Sequence, residues 1–165
     1  LHIIINNIEI PLQKKERKIG SEAPAVKLTM QSGQTKVIGM MAPKVQAMIT
    51  LPQSDSLSTE LLEVIEKHKE RSFIYIIASQ PLDNAYDSDF YSLEFHDFAM
   101  KFGVYATDEV CAQSIFIINK EGEIVYREIV ANLSDGLNIE AFDSALNEAI
   151  KFKKKGHTHE NWMGV

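Results

Sequence analysis

Phe73-Ile74-Tyr75-Ile76-Ile77-Ala78 is an unbroken apolar run. It has no polar residue to turn towards water, so a strand built from it must be covered on both faces. That requirement excludes a sheet with one wet face and demands helices on either side. The preceding sequence supplies one. Lys44 to Leu51 reads as a second buried strand, followed by a polar turn and a helix from Glu60 to Arg71. Leu61, Leu62, Ile65 and His68 give that helix an apolar face at helical spacing, and Ser58 or Thr59 offers a hydroxyl to cap it. Strand, helix and strand in succession imply parallel pairing.

The other elements fall around this unit. Ile3-Ile4-Ile5 and Ile8-Glu9-Ile10 flank Asn6-Asn7, which predicts a hairpin. A charged connector spans 13–18 and a turn spans Gly20 to Pro24. Val26 to Met30 predicts a strand, Ser32-Gly33-Gln34 a turn, and Lys36 to Gly39 a short strand. Gln80 to Asp89, with Pro81 and Asp87-Ser88-Asp89, reads as loop. Phe95, Phe98, Ala99 and Phe102 predict a helix ending at Gly103. Ser114 to Asn119 and Ile124 to Val130 pair across the turn Lys120-Glu121-Gly122-Glu123. Ile139 to Phe152 is an amphipathic helix, with Phe142, Ala145, Leu146, Ala149 and Ile150 on its apolar face. Residues 1–152 read as one domain and 153–165 as a polar tail.

The net charge of −6 argues against nucleic acid or an anionic membrane as partner. The apolar runs are too short to span a bilayer. No secretory signal pattern opens the chain, which points to a cytoplasmic setting. The first residue is Leu rather than Met, so the native N-terminus is expected to lie upstream. Cys111 is the only cysteine, so no disulfide forms within the chain. No Cys and His set has zinc spacing, and no cofactor is expected.

Thr50-Leu51-Pro52-Gln53-Ser54-Asp55-Ser56-Leu57-Ser58-Thr59 is a strand, a polar turn and a helix N-terminus, where backbone N–H groups and the helix dipole stabilise negative charge. It resembles the active-site loop of the thiol peroxidases, the atypical two-cysteine branch of the peroxiredoxins. That loop has Pro, three residues, Thr or Ser, two residues and the peroxidatic Cys. Pro52 and Ser56 fit, Asp55 matches the usual preceding acid, and Thr59 stands where the Cys belongs. Further matches lie in order along the chain. Ile19-Gly20-Ser21-Glu22-Ala23-Pro24 is similar to Val-Gly-x-x-Ala-Pro. Phe98 to Val104 resembles Phe-Gly-x-x-Tyr-Gly-Val. Ala112 to Asn119 with Gly122 and Ile124-Val125-Tyr126 resembles the family's late strand pair. The resemblance covers roughly 3–152 and implies an α/β, thioredoxin-like three-layer sandwich of peroxiredoxin type with an added N-terminal β-hairpin. It also implies pairing into a homodimer through the surface around the active-site loop.

The departures fall on the chemistry. Peroxide reduction needs a thiolate that becomes a sulfenic acid, and the Thr59 alcohol cannot take that route. The family's Arg falls on Gln113, which keeps hydrogen bonding but loses the charge. The segment that carries the resolving Cys is shortened into 80–89 without a Cys. Two function classes stay open. One is a degenerate site at Pro52, Ser56, Thr59 and Gln113, retained for binding or regulation, with a variant that uses the old peroxide pocket for another ligand. The other is a thiol-dependent peroxidase acting through Cys111. Thr59 reads as a capping hydroxyl rather than a nucleophile, since no His lies near it in sequence. Cys111 reads either as a relocated redox thiol or as a small buried residue, with Asp108 and Glu109 expected to raise its pKa. His157-Thr158-His159-Glu160 offers a minimal metal set. Lys151, Lys153, Lys154 and Lys155 complement a helix dipole, and Trp162 and Met163 offer a tail contact. Asp83, Asp87 and Asp89 with Tyr86, Phe90 and Tyr91 make an acidic, aromatic loop, solvated or rimming a pocket.

Overall fold

A computed structural model of the chain describes residues 1–13 and 16–152. The expectations for 153–165, including the His157–His159 metal set and the Trp162 contact, lie outside the described residues.

The buried run becomes β6 (Ser72–Ala78). It lies parallel to β5 (Val45–Leu51), in register from Val45↔Ser72 to Leu51↔Ala78. On the far side of β5, β8 (Ser114–Ile118) runs antiparallel, and β9 (Ile124–Ile129) pairs antiparallel with β8. A two-residue strand, β7 (Tyr91–Ser92), pairs parallel with β6 and completes the order β7-β6-β5-β8-β9. The loop reading of 80–89 holds, with a 3-10 turn at Ser88–Phe90. Tyr91, however, is an edge-strand residue rather than part of that loop. A two-residue strand leaves no alternation to read.

Two cores flank the sheet, because alternate residues of each central strand face opposite ways. Met48, Tyr75, Ile77, Phe116 and Ile118 face one side and meet α2 (Phe95–Phe102), where the Phe98 and Phe102 rings stack at 4.2 Å. Gly103 ends α2 in the left-handed conformation. Ala47, Ile49, Ile74, Ile76, Ile115 and Ile117 face the other side and meet α1 (Thr59–His68) and α3 (Ile139–Lys151). The result is the three-layer sandwich expected from the resemblance.

Two small hairpins close the first core. β1 (His2–Ile5) and β2 (Ile8–Pro11) turn at Asn6 and Asn7, both at positive φ, as the tightest hairpin turn requires. β3 (Val26–Thr29) pairs with β4 (Thr35–Ile38). The chain then turns at Gly39, where an added Cβ would run into the Pro24 carbonyl oxygen. Buried Gln46 of β5 satisfies the backbone of this turn. It accepts from the Gly39 N–H at 3.0 Å and donates to the Gly39 and Met40 carbonyls at 3.1 Å.

α1 is shorter than the span 60–71 read from its apolar spacing. It stops at His68, where the carbonyl accepts from the Arg71 N–H and the Ser72 hydroxyl and the chain turns into β6. His68 is buried, and its Nε2 lies 2.7 Å from Asp143 of α3. That contact ties the two helices on this face.

Candidate functional site

The site is built where β5 gives way to α1. Leu51 and Pro52 are buried, and the turn is closed by Ser56 N–H donating to the Gln53 carbonyl at 3.1 Å. Ser58 caps α1, its hydroxyl accepting from the Leu61 N–H at 3.1 Å. Thr59 is therefore the first helical residue and not the cap.

The segment after β6 braces this turn from the side. Ser79 N–H donates to the Leu51 carbonyl, and the Gln80 carboxamide donates to the Pro52 carbonyl at 3.1 Å. Asp83 N–H donates to the Ser54 carbonyl, and the Asn84 carboxamide donates to the Leu57 carbonyl at 2.6 Å. Sequence reasoning assigned no role to Ser79, Gln80 or Asn84. Their polarity just beyond an apolar strand was the available signal.

The four residues read as one degenerate pocket do not share one cavity. Ser56 and Gln113 line a cavity of about 280 Å³ between the α1 N-terminus and the segment Leu133 to Ile139. Thr59 is exposed and lines a separate cleft of about 670 Å³, with Leu62, Glu66, Tyr86 and Asp87. Pro52 is buried and lines neither. As the first residue of the helix, Thr59 points its side chain around the helix from the direction of Ser56. The acidic loop does rim a pocket, through Asp87, Tyr86 and Phe90, and it is the Thr59 cleft that it rims.

Gln113 is 6% exposed and sits just before β8, its carbonyl accepting from the Val130 N–H. Among the described residues its carboxamide has no hydrogen-bond partner, and neither has the Ser56 hydroxyl. Among the described residues no Lys, Arg or His lines their cavity, while Asp55 and Glu60 do.

Cys111 is fully buried in the α2-side core. Its N–H donates to the Ser79 hydroxyl at 3.0 Å, and its Sγ lies 3.1 Å from the same oxygen. Burial pushes the thiol up to about 11, against which the contacts with Ser79 and Thr50 pull weakly downwards. The upward direction matches the expectation, but the cause is burial and not Asp108 or Glu109. The Asp108 carboxylate is taken up by the Tyr105 hydroxyl. Cys111 forms an isolated bridge with Tyr105, three residues before β8.

Among the described residues no group of three or more His, Cys, Asp or Glu is placed to hold a metal. No helix among them is long and apolar enough to cross a membrane.

No family model matches the chain. A thiol peroxidase from Aquifex aeolicus is 23% identical over 158 residues, which cover 86% of this chain and 94% of the relative. Among solved structures, a peroxiredoxin-like protein from Aquifex aeolicus superposes with a TM-score of 0.68 at 19% identity, over 90% of this chain and 96% of its own. A thiol peroxidase from Chromobacterium violaceum gives a TM-score of 0.70 at 15% identity, over 89% and 96%. The sequence match and the superpositions each cover most of the chain: it is similar in sequence to a thiol peroxidase and shares the thioredoxin-like fold of the peroxiredoxins.

Proposed function

We propose that this protein keeps the thiol-peroxidase scaffold without peroxidase turnover and serves a binding or regulatory role. One observation carries the reading. The position at the α1 N-terminus where the family holds its thiolate is an exposed threonine, in a different cleft from Ser56 and Gln113. A hydroxyl there has no path through a sulfenic acid. The lone thiol is buried, protonated at neutral pH and away from both cavities. A cytoplasmic, reducing setting suits a chain with no cysteine pair, and a homodimer formed around the Pro52–Thr59 turn is the assembly this reading expects.

Peroxide consumption with dithiothreitol as reductant tests the reading, comparing the wild type with Cys111→Ser and Thr59→Cys. The wild type should match the buffer control. Turnover that disappears in Cys111→Ser would overturn the reading and establish a one-cysteine peroxidase. Light scattering of the same wild-type sample tests the dimer.

A further inference from the structure

The small cavity at the α1 N-terminus has the makings of a site for a ligand other than peroxide. Gln113 is more than nine-tenths buried, lines the cavity and has no hydrogen-bond partner among the described residues. Among the described residues the fully enclosed polar atom without a partner is His68 Nδ1, so the Gln113 carboxamide keeps its contact with water in the cavity and is free to pair with a ligand there. The Ser56 hydroxyl, half-buried and equally without a partner, lines the same cavity.

The lining determines what kind of group fits. A carboxamide presents one acceptor and two donors in a plane, so its best complement offers a donor and an acceptor side by side. An amide does so. A carboxylate only accepts, and it would approach Asp55 and Glu60 with no cation in the lining to offset them. The helix N-terminus favours anions, but these two acids oppose it. An ammonium only donates and would leave the carboxamide N–H groups unsatisfied. Leu133, Leu137 and Ile139 supply an apolar wall on the opposite side, suited to a flat or aliphatic body.

We propose that this cavity binds a small uncharged molecule bearing an amide, which pairs through both its donor and its acceptor with the Gln113 carboxamide and makes a second contact with the Ser56 hydroxyl. The proposal rests on the reading of the site as catalytically silent, and it names the ligand class.

The test is a titration of the isotope-labelled full chain with nicotinamide and, separately, with nicotinate, followed by NMR at the Gln113 side-chain NH₂ pair. The two probes share a ring and differ in the amide. Nicotinamide should shift that pair saturably and bind at least tenfold more tightly than nicotinate. Gln113→Leu should lose at least tenfold in nicotinamide affinity. Gln113→Arg should invert the preference towards nicotinate. Ser56→Ala, at a half-buried turn position, should weaken nicotinamide severalfold, and it guards against a folding defect at buried Gln113. Equal binding of the two probes, shifts confined to residues outside the cavity, or no shift at Gln113 would overturn the proposal. Wild-type peroxide turnover would instead overturn the reading beneath it, and the two failures are separately visible.

Discussion

The reactivity of Cys111 separates the two functional readings, and its expected magnitude follows from burial. The thiol sits at about 11. At pH 7 about one molecule in ten thousand is then thiolate, against ~3% for a free thiol of pKa ≈ 8.5, a deficit of roughly 300-fold. A more basic thiolate is intrinsically more nucleophilic, and across this interval that returns about tenfold. Ionisation therefore slows alkylation by roughly 30-fold, before access is counted. Access adds to this, because a side chain with no exposed surface reacts only when the surrounding structure opens. The assay is iodoacetamide labelling at pH 7, read by mass spectrometry, for the native protein and for the protein unfolded in urea. The native rate should be at least ~30-fold below the unfolded rate and should climb with pH towards 11. A native rate within a fewfold of the unfolded one would refute the reasoning. It would mean that the Ser79 and Thr50 contacts, or a motion around them, keep a reactive thiolate available.

Two further predictions concern stability. Asp143→Ala removes the partner of buried His68, whose Nδ1 already lacks a hydrogen bond, and should cost about 1–2 kcal/mol in a urea melt, with the lower end set by the partial exposure of Asp143. His68 and Lys67 hold the Asp143 carboxyl below its ordinary value of 3.8, so its contribution is complete above that value and fades as pH falls through the lower native one. The gap between wild type and variant should therefore close in acid, and a gap that widened there would sink the argument. Gly39→Ala drives a Cβ into the Pro24 carbonyl at positive φ, whereas Gly33→Ala meets only the φ penalty with open space around it. The first should cost at least ~2 kcal/mol more than the second, a difference of roughly 4–8 °C in Tm for a chain of this size. Equal melting would show that the Gly39 turn can shift away from Pro24.

What the sequence made legible was the part that rests on local pattern. The apolar runs at 73–78 and 114–118 had one outcome, and Asn6-Asn7 and Gly103 sit in the backbone conformations their side chains tolerate best. What escaped depends on pairs distant along the chain. His68 and Asp143 are 75 residues apart, and no periodicity joins them. β7 is too short to show a pattern, and only its place beside β6 defines it. The spacing from Pro52 to Thr59 matched the family loop, yet spacing does not say which way a first-turn helical side chain points, and Thr59 and Ser56 look into different cavities.

The same division shows how little the scaffold depends on the residues at 59 and 113. The contacts that hold the β5–α1 turn come from Ser79, Gln80, Asp83 and Asn84 and go to backbone carbonyls or from backbone N–H groups. None of them needs a cysteine at 59 or an arginine at 113. The Ser58 cap and the buried Leu57 and Leu61 likewise keep the helix start in place whatever occupies the next position. Substitution at 59 thus meets little resistance from folding, since the side chain is exposed and the cap lies elsewhere. Position 113 is different. Its side chain is buried against a cavity, and an uncharged carboxamide there avoids the expense of a buried guanidinium. Threonine at 59 and glutamine at 113 face different cavities, so the two positions are free to change independently. Thr59→Cys alone should then recover little peroxide turnover, because Ser56 and Gln113 look into another cavity. Thr59→Cys with Gln113→Arg should recover no more than the sum of the single variants in the dithiothreitol-coupled assay. Clear synergy between the two changes would show that the side chains meet in one site.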